Sequence, residues 1–184
     1  MIELPSLDLM EREIFGPILH IVRYKRKDVG RLAAELAAKG YGLTLGIHSR
    51  LSRFHEEIMA AVPAGNVYVN RNITGAIVGV QPFGGEGLSG TGPKAGGPNY
   101  LIGLTDWRGA AATQRGQLRR ELREFLDKAS KLVIDEVDRE FLDRSLHSDA
   151  LAWVEEFGVT RDVSGLTAEH NVFRYRPVPV TVRA

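Results

Sequence analysis

Residues Pro82–Pro98 read PFGGEGLSGTGPKAGGP, a run of glycine and proline with almost no bulky side chains. Glycine reaches positive φ without steric cost and lets a ligand or a second backbone come close. Proline fixes φ and withholds its N–H. Such a run is neither helix nor strand, yet its prolines restrain it more than a Gly/Ser linker would be restrained. The composition predicts a shaped loop that offers bare backbone N–H groups to something. What that something is must come from the flanks.

Upstream of the loop lie three strand candidates, His20–Tyr24 (HIVRY), Tyr41–His48 (YGLTLGIH) and Asn66–Val69 (NVYV), all rich in β-formers. Between the first two, Asp28 can cap a helix in which Val29, Leu32, Ala33, Leu36 and Ala37 recur at helical spacing. Gly40 stands where a helix stops. Ser49 or Ser52 can cap the next helix, which carries Phe54, Ile58, Ala61 and Val62 on one face and ends at Pro63-Ala64-Gly65. Strand, helix, strand, helix, strand predicts an α/β fold, a mostly parallel sheet with crossover helices. Ligands of such sheets sit beyond the carboxyl ends of strands. The connector Asn70–Gln81 leads from the third strand to the loop, which places the loop where a site belongs.

The character changes after Trp107. Gly109–Gln117 is small and polar and reads as a linker. An amphipathic helix follows, marked by Leu118, Leu122, Phe125, Leu126 and Ala129. Glu121, Glu124 and Asp127 alternate there with Arg119, Arg120, Arg123 and Lys128, the pattern of a solvated, salt-bridged face rather than of a nucleic-acid helix. A second helix is predicted over Asp138–Phe157, with Phe141, Leu142, Ser145 and Val154 inward. Asn171–Arg183 reads as strand broken by Pro177 and Pro179, which suit an edge or extended segment rather than a central strand. The expected division is therefore residues 1–108 as one domain and 109–184 as linker and extension, a helical and extended tail.

Composition narrows the chemistry. The 184 residues carry 24 Lys plus Arg against 23 Asp plus Glu, a balance that gives no argument for nucleic acid or an anionic membrane. Cysteine is absent from the chain, which excludes disulfides, thiolate metal sites and a cysteine nucleophile within it. The N-terminal residues lack the basic and apolar regions of a signal peptide, and no apolar run approaches about 18 residues. A soluble cytoplasmic protein without integral membrane association is expected, and Asn72-Ile73-Thr74 is then a chance sequon.

Motifs that would carry chemistry mostly fail. Gly90-x-Gly92-x-x-Ala95 fits a dinucleotide fingerprint formally, but Phe83-Gly84-Gly85 before it and Gly96-Gly97-Pro98 after it replace the required strand and helix. Gly97 is followed by Pro98 rather than by the Lys of a P-loop. His20, His48, His55, His147 and His170 have no metal-pair spacing, so no metal site is expected. Ser89 lacks a G-x-S-x-G frame. Glu13 is a lone carboxylate three residues before Gly16-Pro17. A loop that takes an anion on backbone N–H groups remains open.

Four motifs in order, Glu13-Ile14-Phe15-Gly16-Pro17, Tyr41-Gly42-Leu43, Gly65-Asn66-Val67-Tyr68-Val69-Asn70 and Pro82-Phe83-Gly84-Gly85, resemble the aldehyde dehydrogenase superfamily. Asn70-Arg71-Asn72-Ile73 and Gly79–Pro98 narrow the resemblance to L-glutamate γ-semialdehyde (Δ1-pyrroline-5-carboxylate) dehydrogenase, as in the dehydrogenase half of bifunctional proline utilisation A. The final stretch, Gly165–Arg183, is similar to the region beyond the dehydrogenase in longer members.

The resemblance implies NAD as cofactor and L-glutamate γ-semialdehyde as substrate. Glu13 would accept hydrogen bonds from the nicotinamide ribose hydroxyls, as an acceptor-only carboxylate can. Phe15 would pack beside the nicotinamide, Phe83 would line the aldehyde pocket, and backbone N–H groups at Gly96 and Gly97 would hold the substrate's α-carboxylate. In the family the cysteine nucleophile, the general-base glutamate and the dinucleotide-binding domain lie upstream, and none occurs here. The chain is therefore expected to be a C-terminal part with no catalytic residue of its own, inactive alone, and completed by an upstream dehydrogenase segment or a second copy. A non-catalytic assembly or regulatory module is the alternative.

Overall fold

The computed structural model describes residues 1–106 and 114–178, and these divide into two compact units, Met1–Thr105 and Asp106–Ala184. The expected linker over Gly109–Gln117 falls mostly outside the described residues, as do Trp107 and the end of the extended segment from residue 179.

The first unit opens with a strand that the sequence reading did not anticipate. β1 (Ile2–Leu4) pairs in parallel with β2 (His20–Val22), Ile2 opposite His20 and Leu4 opposite Val22. α1 (Val29–Ala38) follows, with Val29 and Ala33 buried. Asp28 holds the cap position but its side chain makes no capping bond, because a short 3-10 turn at Arg26–Asp28 already leads into the helix. Gly40 stops α1 at φ +77°, a left-handed conformation that favours glycine, and donates its N–H to Ala37 O at 3.1 Å.

The expected strand Tyr41–His48 divides in two. β3 (Tyr41–Gly42) runs antiparallel to β6 (Glu86–Gly87), inside the glycine loop. β4 (Thr44–Ile47) runs parallel to β5 (Asn66–Val69), from Thr44 opposite Asn66 to Ile47 opposite Val69. The two halves serve different partners, so the chain bends at Leu43. Between β4 and β5 lies α2 (Ser52–Ala61), a helical crossover of the kind parallel strands need. Its start has Leu51 at the cap position; the Ser49 hydroxyl accepts the Leu51 N–H at 3.1 Å instead. Val62 is buried just past the helix, whereas Ala61 is exposed. α1 packs against α2. β5 alternates in burial, Asn66 and Tyr68 turned inward. This α/β architecture agrees with the expected class, although the described strands form four two-stranded ladders, the two longest of them parallel.

In the second unit α3 (Arg120–Leu132) begins two residues after the buried Leu118, and Phe125 is half exposed. α4 (Glu136–Ala152) is capped by Asp135, whose carboxylate accepts from the N–H groups of Val137 and Asp138. A π-helical turn, Trp153–Phe157, continues it. Phe141 and Val154 face outward, contrary to expectation. The covered side of α4 is the one carrying His147 and Ala150, because Gly116 lies directly on it and exchanges hydrogen bonds with His147. The mixed charges form i,i+4 pairs, Arg120–Glu124 at 2.8 Å and Arg144–Glu140 at 3.8 Å, the salt-bridged surface the spacing predicts. β7 (Arg161–Asp162) pairs antiparallel with β8 (Val172–Phe173). Among the described residues no helix is long and apolar enough to cross a membrane.

Candidate functional site

The loop Pro82–Pro98 is tied at four levels. At its base Phe83 and Ala95 face each other as an antiparallel bridge, with Phe83 N–H to Ala95 O at 3.0 Å and Ala95 N–H to Phe83 O at 2.9 Å. This closes the run into a ring. Further round, β6 binds β3, Leu88 N–H reaches Gly40 O at 2.8 Å, and the Ser89 hydroxyl accepts Gly42 N–H at 3.2 Å.

Asn66, 9% exposed at the start of β5, ties the incoming limb. Its side-chain N–H donates to Pro82 O at 2.9 Å and its Oδ1 accepts Gly84 N–H at 3.2 Å. Lys94 ties the outgoing limb to the same place, its ammonium donating to Gly65 O, to Gly84 O at 3.0 Å and to Asn66 Oδ1 at 3.4 Å. Burial lowers the Lys94 pKa from the ordinary lysine value, with Glu86 acting in the opposite direction. The glycines are here because backbone meets backbone. A Cβ on Gly65 would stand 1.7 Å from Gly84 O, a distance no side chain survives.

At the closing end Gly96 adopts φ +69°. Gly97 donates its N–H to Lys94 O at 3.0 Å, closing a turn, while the Gly96 N–H meets no acceptor among the described residues. Phe83 is half buried at the base of the ring. The structure thus brings Phe83, Gly96 and Gly97 onto one rigid frame.

Glu13 and Phe15 stand apart from it, between a 3-10 turn at Leu7–Leu9 and β2. Phe15 is 88% exposed and Glu13 is exposed. Among the described residues no hydrogen bond joins this segment to the loop. An exposed carboxylate, able to accept from hydroxyl groups, two residues from an exposed aromatic ring suits a polyhydroxylated, flat-ringed ligand.

Sequence reasoning passed over Asn66, Lys94 and Asn70. Asn70 ends β5 at φ +57°, a conformation asparagine tolerates better than most residues. Its amide pairs with Ser49 in both directions at 2.9 Å, imitating one more residue pair of the ladder. The hint available was the buried-face position of Asn66 inside an apolar strand, since a buried amide needs partners. Elsewhere in the unit, a cavity of about 470 Å³ lies between β2 and α1. Both arginines lining it are paired, Arg23 with Glu3 and Arg31 with Glu35. No group of three His, Cys, Asp or Glu converges among the described residues.

With the site laid out, comparison with known proteins decides the family. Residues 4–129 match the aldehyde dehydrogenase family. The chain belongs to that family. A bifunctional protein PutA of Escherichia coli is 40% identical across 96% of this chain and 14% of its own length. The 1-pyrroline-5-carboxylate dehydrogenase of Geobacillus sp. (strain WCH70) is 46% identical across 53% of this chain and 19% of its own. The solved structure of proline utilization A from Corynebacterium freiburgense superposes with a TM-score of 0.73, 38% identity, 95% of this chain and 17% of that one. The chain therefore spans between about a seventh and a fifth of the length of these relatives.

Proposed function

We propose that this chain forms the substrate-anchor part of an NAD-dependent dehydrogenase that oxidises L-glutamate γ-semialdehyde to L-glutamate in proline catabolism. The observation that carries the reading is the tied ring at Pro82–Pro98, whose closing end presents the Gly96 N–H without an acceptor among the described residues, next to the turn at Gly97. A carboxylate is matched by such a donor, and the neighbouring Gly97 N–H can share its existing bond with a second carboxylate oxygen. Phe83, on the same frame, would border the aliphatic part of the substrate. Holding the α-carboxylate fixes the distance from the anchor to the aldehyde carbon, which is how remote binding becomes orientation at the reacting centre.

Glu13 and Phe15 fit the nicotinamide half of NAD, Glu13 accepting from vicinal ribose hydroxyls and Phe15 lying beside the ring. When bound, NAD supplies the acceptor for the hydride that leaves the substrate. The nucleophile and general base come from outside this chain, from an upstream dehydrogenase segment.

NADH formation from glutamate semialdehyde tests the reading. The chain alone is expected to give no turnover above a no-enzyme blank, and the chain mixed with an upstream, cysteine-bearing segment is expected to be active. Turnover by the chain alone would refute the division of labour; binding without activity would favour a non-catalytic assembly module. Gly96→Pro, which cannot reach φ +69°, should raise KM for the semialdehyde more than KM for NAD.

A further inference from the structure

A lysine two residues before the carboxylate-binding glycines suggests a cation that meets the substrate. The geometry excludes that role. An ammonium has three N–H donors, and those of Lys94 are matched by Gly65 O, Gly84 O and Asn66 Oδ1. None is left for a ligand. The side chain points away from the Gly96 end of the loop and into the junction between β5 and the incoming limb.

We propose that Lys94 is a positioning residue for substrate recognition: its ammonium pins the outgoing limb of the loop to the start of β5 and so sets the aim of the Gly96 N–H. This rests on the function proposed above. Lys94 is fixed through its side chain to Gly65, Gly84 and Asn66, and through its carbonyl to Gly97 N–H at 3.0 Å. Ala95 is fixed to Phe83 by two bonds of 3.0 and 2.9 Å. Gly96 is the single residue between the bridge at Ala95 and the turn at Gly97, so its peptide inherits its direction from two clamped neighbours. The charge strengthens each bond to a neutral oxygen. Removing it takes this donor from Gly65 O and Gly84 O of a part-buried junction at once, and leaves Asn66 Oδ1 with the Gly84 N–H alone.

The absence of cysteine from the chain allows a clean test. Lys94→Met and Lys94→Cys are made in the full chain, and the second is alkylated with 2-bromoethylamine, which restores an ammonium at nearly the original length. Each is assayed with the upstream segment. Lys94→Met should raise KM for glutamate semialdehyde about tenfold while KM for NAD stays within about twofold and kcat within about threefold. Alkylation of Lys94→Cys should return the semialdehyde KM to within about threefold of the parent. An unchanged semialdehyde KM, an equal rise for NAD, or no recovery on alkylation would overturn the proposal.

Hydrogen exchange on the full chain alone supplies a readout independent of activity. Ala95 and Gly97 amides should exchange about tenfold faster in Lys94→Met, with β4 and β5 amides unchanged and recovery after alkylation. Equal acceleration throughout β4 and β5 would make Lys94 a general fold contact and refute the positioning role. Should the parent assembly prove inactive, the functional reading falls, and the exchange pattern alone decides whether Lys94 aims the loop.

Discussion

The ring at Pro82–Pro98 and the segment around Glu13 and Phe15 belong to one compact unit, yet they are built in opposite ways. The ring is bound to itself and to β3 largely through backbone, and to the start of β5 through the Asn66 and Lys94 side chains. The Glu13–Phe15 segment is bare, its aromatic ring 88% exposed. An anchor that must measure a fixed length of substrate needs rigidity before the ligand arrives. Side chains that only line one flank of a large cofactor can take their order from the ligand and from the remainder of the enzyme. The geometry of the proposed substrate anchor is therefore a local property of this chain, whereas that of the proposed cofactor flank is not.

The comparison can be broken most forcefully at Gly65. Gly65→Ala forces a Cβ to 1.7 Å from Gly84 O, and overpacking against backbone should cost about 3 kcal/mol. For a chain of this size that is a fall in Tm of roughly 6–12 °C, read by thermal unfolding. Gly103→Ala, with nothing within 4 Å of its Cβ, is the control. A Tm for Gly65→Ala equal to the control would mean the ring is not seated on β5.

Asn66→Ala comes next. It leaves Pro82 O and Gly84 N–H without their side-chain partner in a buried position, a loss of about 2 kcal/mol, measured by urea unfolding. Asn66→Ala at parent stability would show that water replaces the amide and that the limb is less enclosed than described.

A third, smaller effect extends the self-tied principle to the second unit. The Ser164 hydroxyl, followed by the Ser164 and Gly165 N–H groups and His170, lowers the Asp162 pKa to about 2. A carboxyl depressed in the folded state stabilises above its ordinary pKa, and that contribution is lost as pH falls through about 2. The Ser164 amide resonance should therefore hold its position at pH 3 and move near pH 2, and Asp162→Asn should abolish that titration. A midpoint near the ordinary carboxyl value would mean the turn does not hold its charge. The effect on overall stability is small because the turn lies at the surface.

The smallest expected effect sharpens the contrast from the other side. Glu13→Gln with Phe15→Ser should change the stability of this chain by less than about 0.5 kcal/mol, as exposed substitutions do, while raising KM for NAD in the assembled enzyme. A Tm loss comparable with Asn66→Ala would show that the segment packs in solution, and the contrast would dissolve.

Much of this was legible in the chain itself. Helical spacing located α1 and α2, and β-rich runs located β2, β4 and β5, because each signal is local. The glycine and proline content of Pro82–Pro98 identified a shaped loop. Four ordered motifs pointed to the family, which the match over residues 4–129 then established. What could not be read was pairing. The division of Tyr41–His48 depends on Glu86–Gly87, more than forty residues away in sequence, and no local pattern encodes that. Phe141 and Val154 were expected inward from helical periodicity; they face outward because Gly116, outside the helix, decides which side of α4 is covered. Lys94 escaped notice for a related reason. A lysine between proline and alanine in a loop reads as solvated until the three oxygens around it are seen.

The contact between Gly65 and Gly84 O has a consequence for how such a protein changes over generations. With no side chain at the junction, there is no intermediate residue through which the strand and the ring could drift apart by small steps. Any larger residue at 65 demands a simultaneous displacement of the ring. Under the proposed function, a change in substrate length at this anchor should therefore require exchange of strand and ring together.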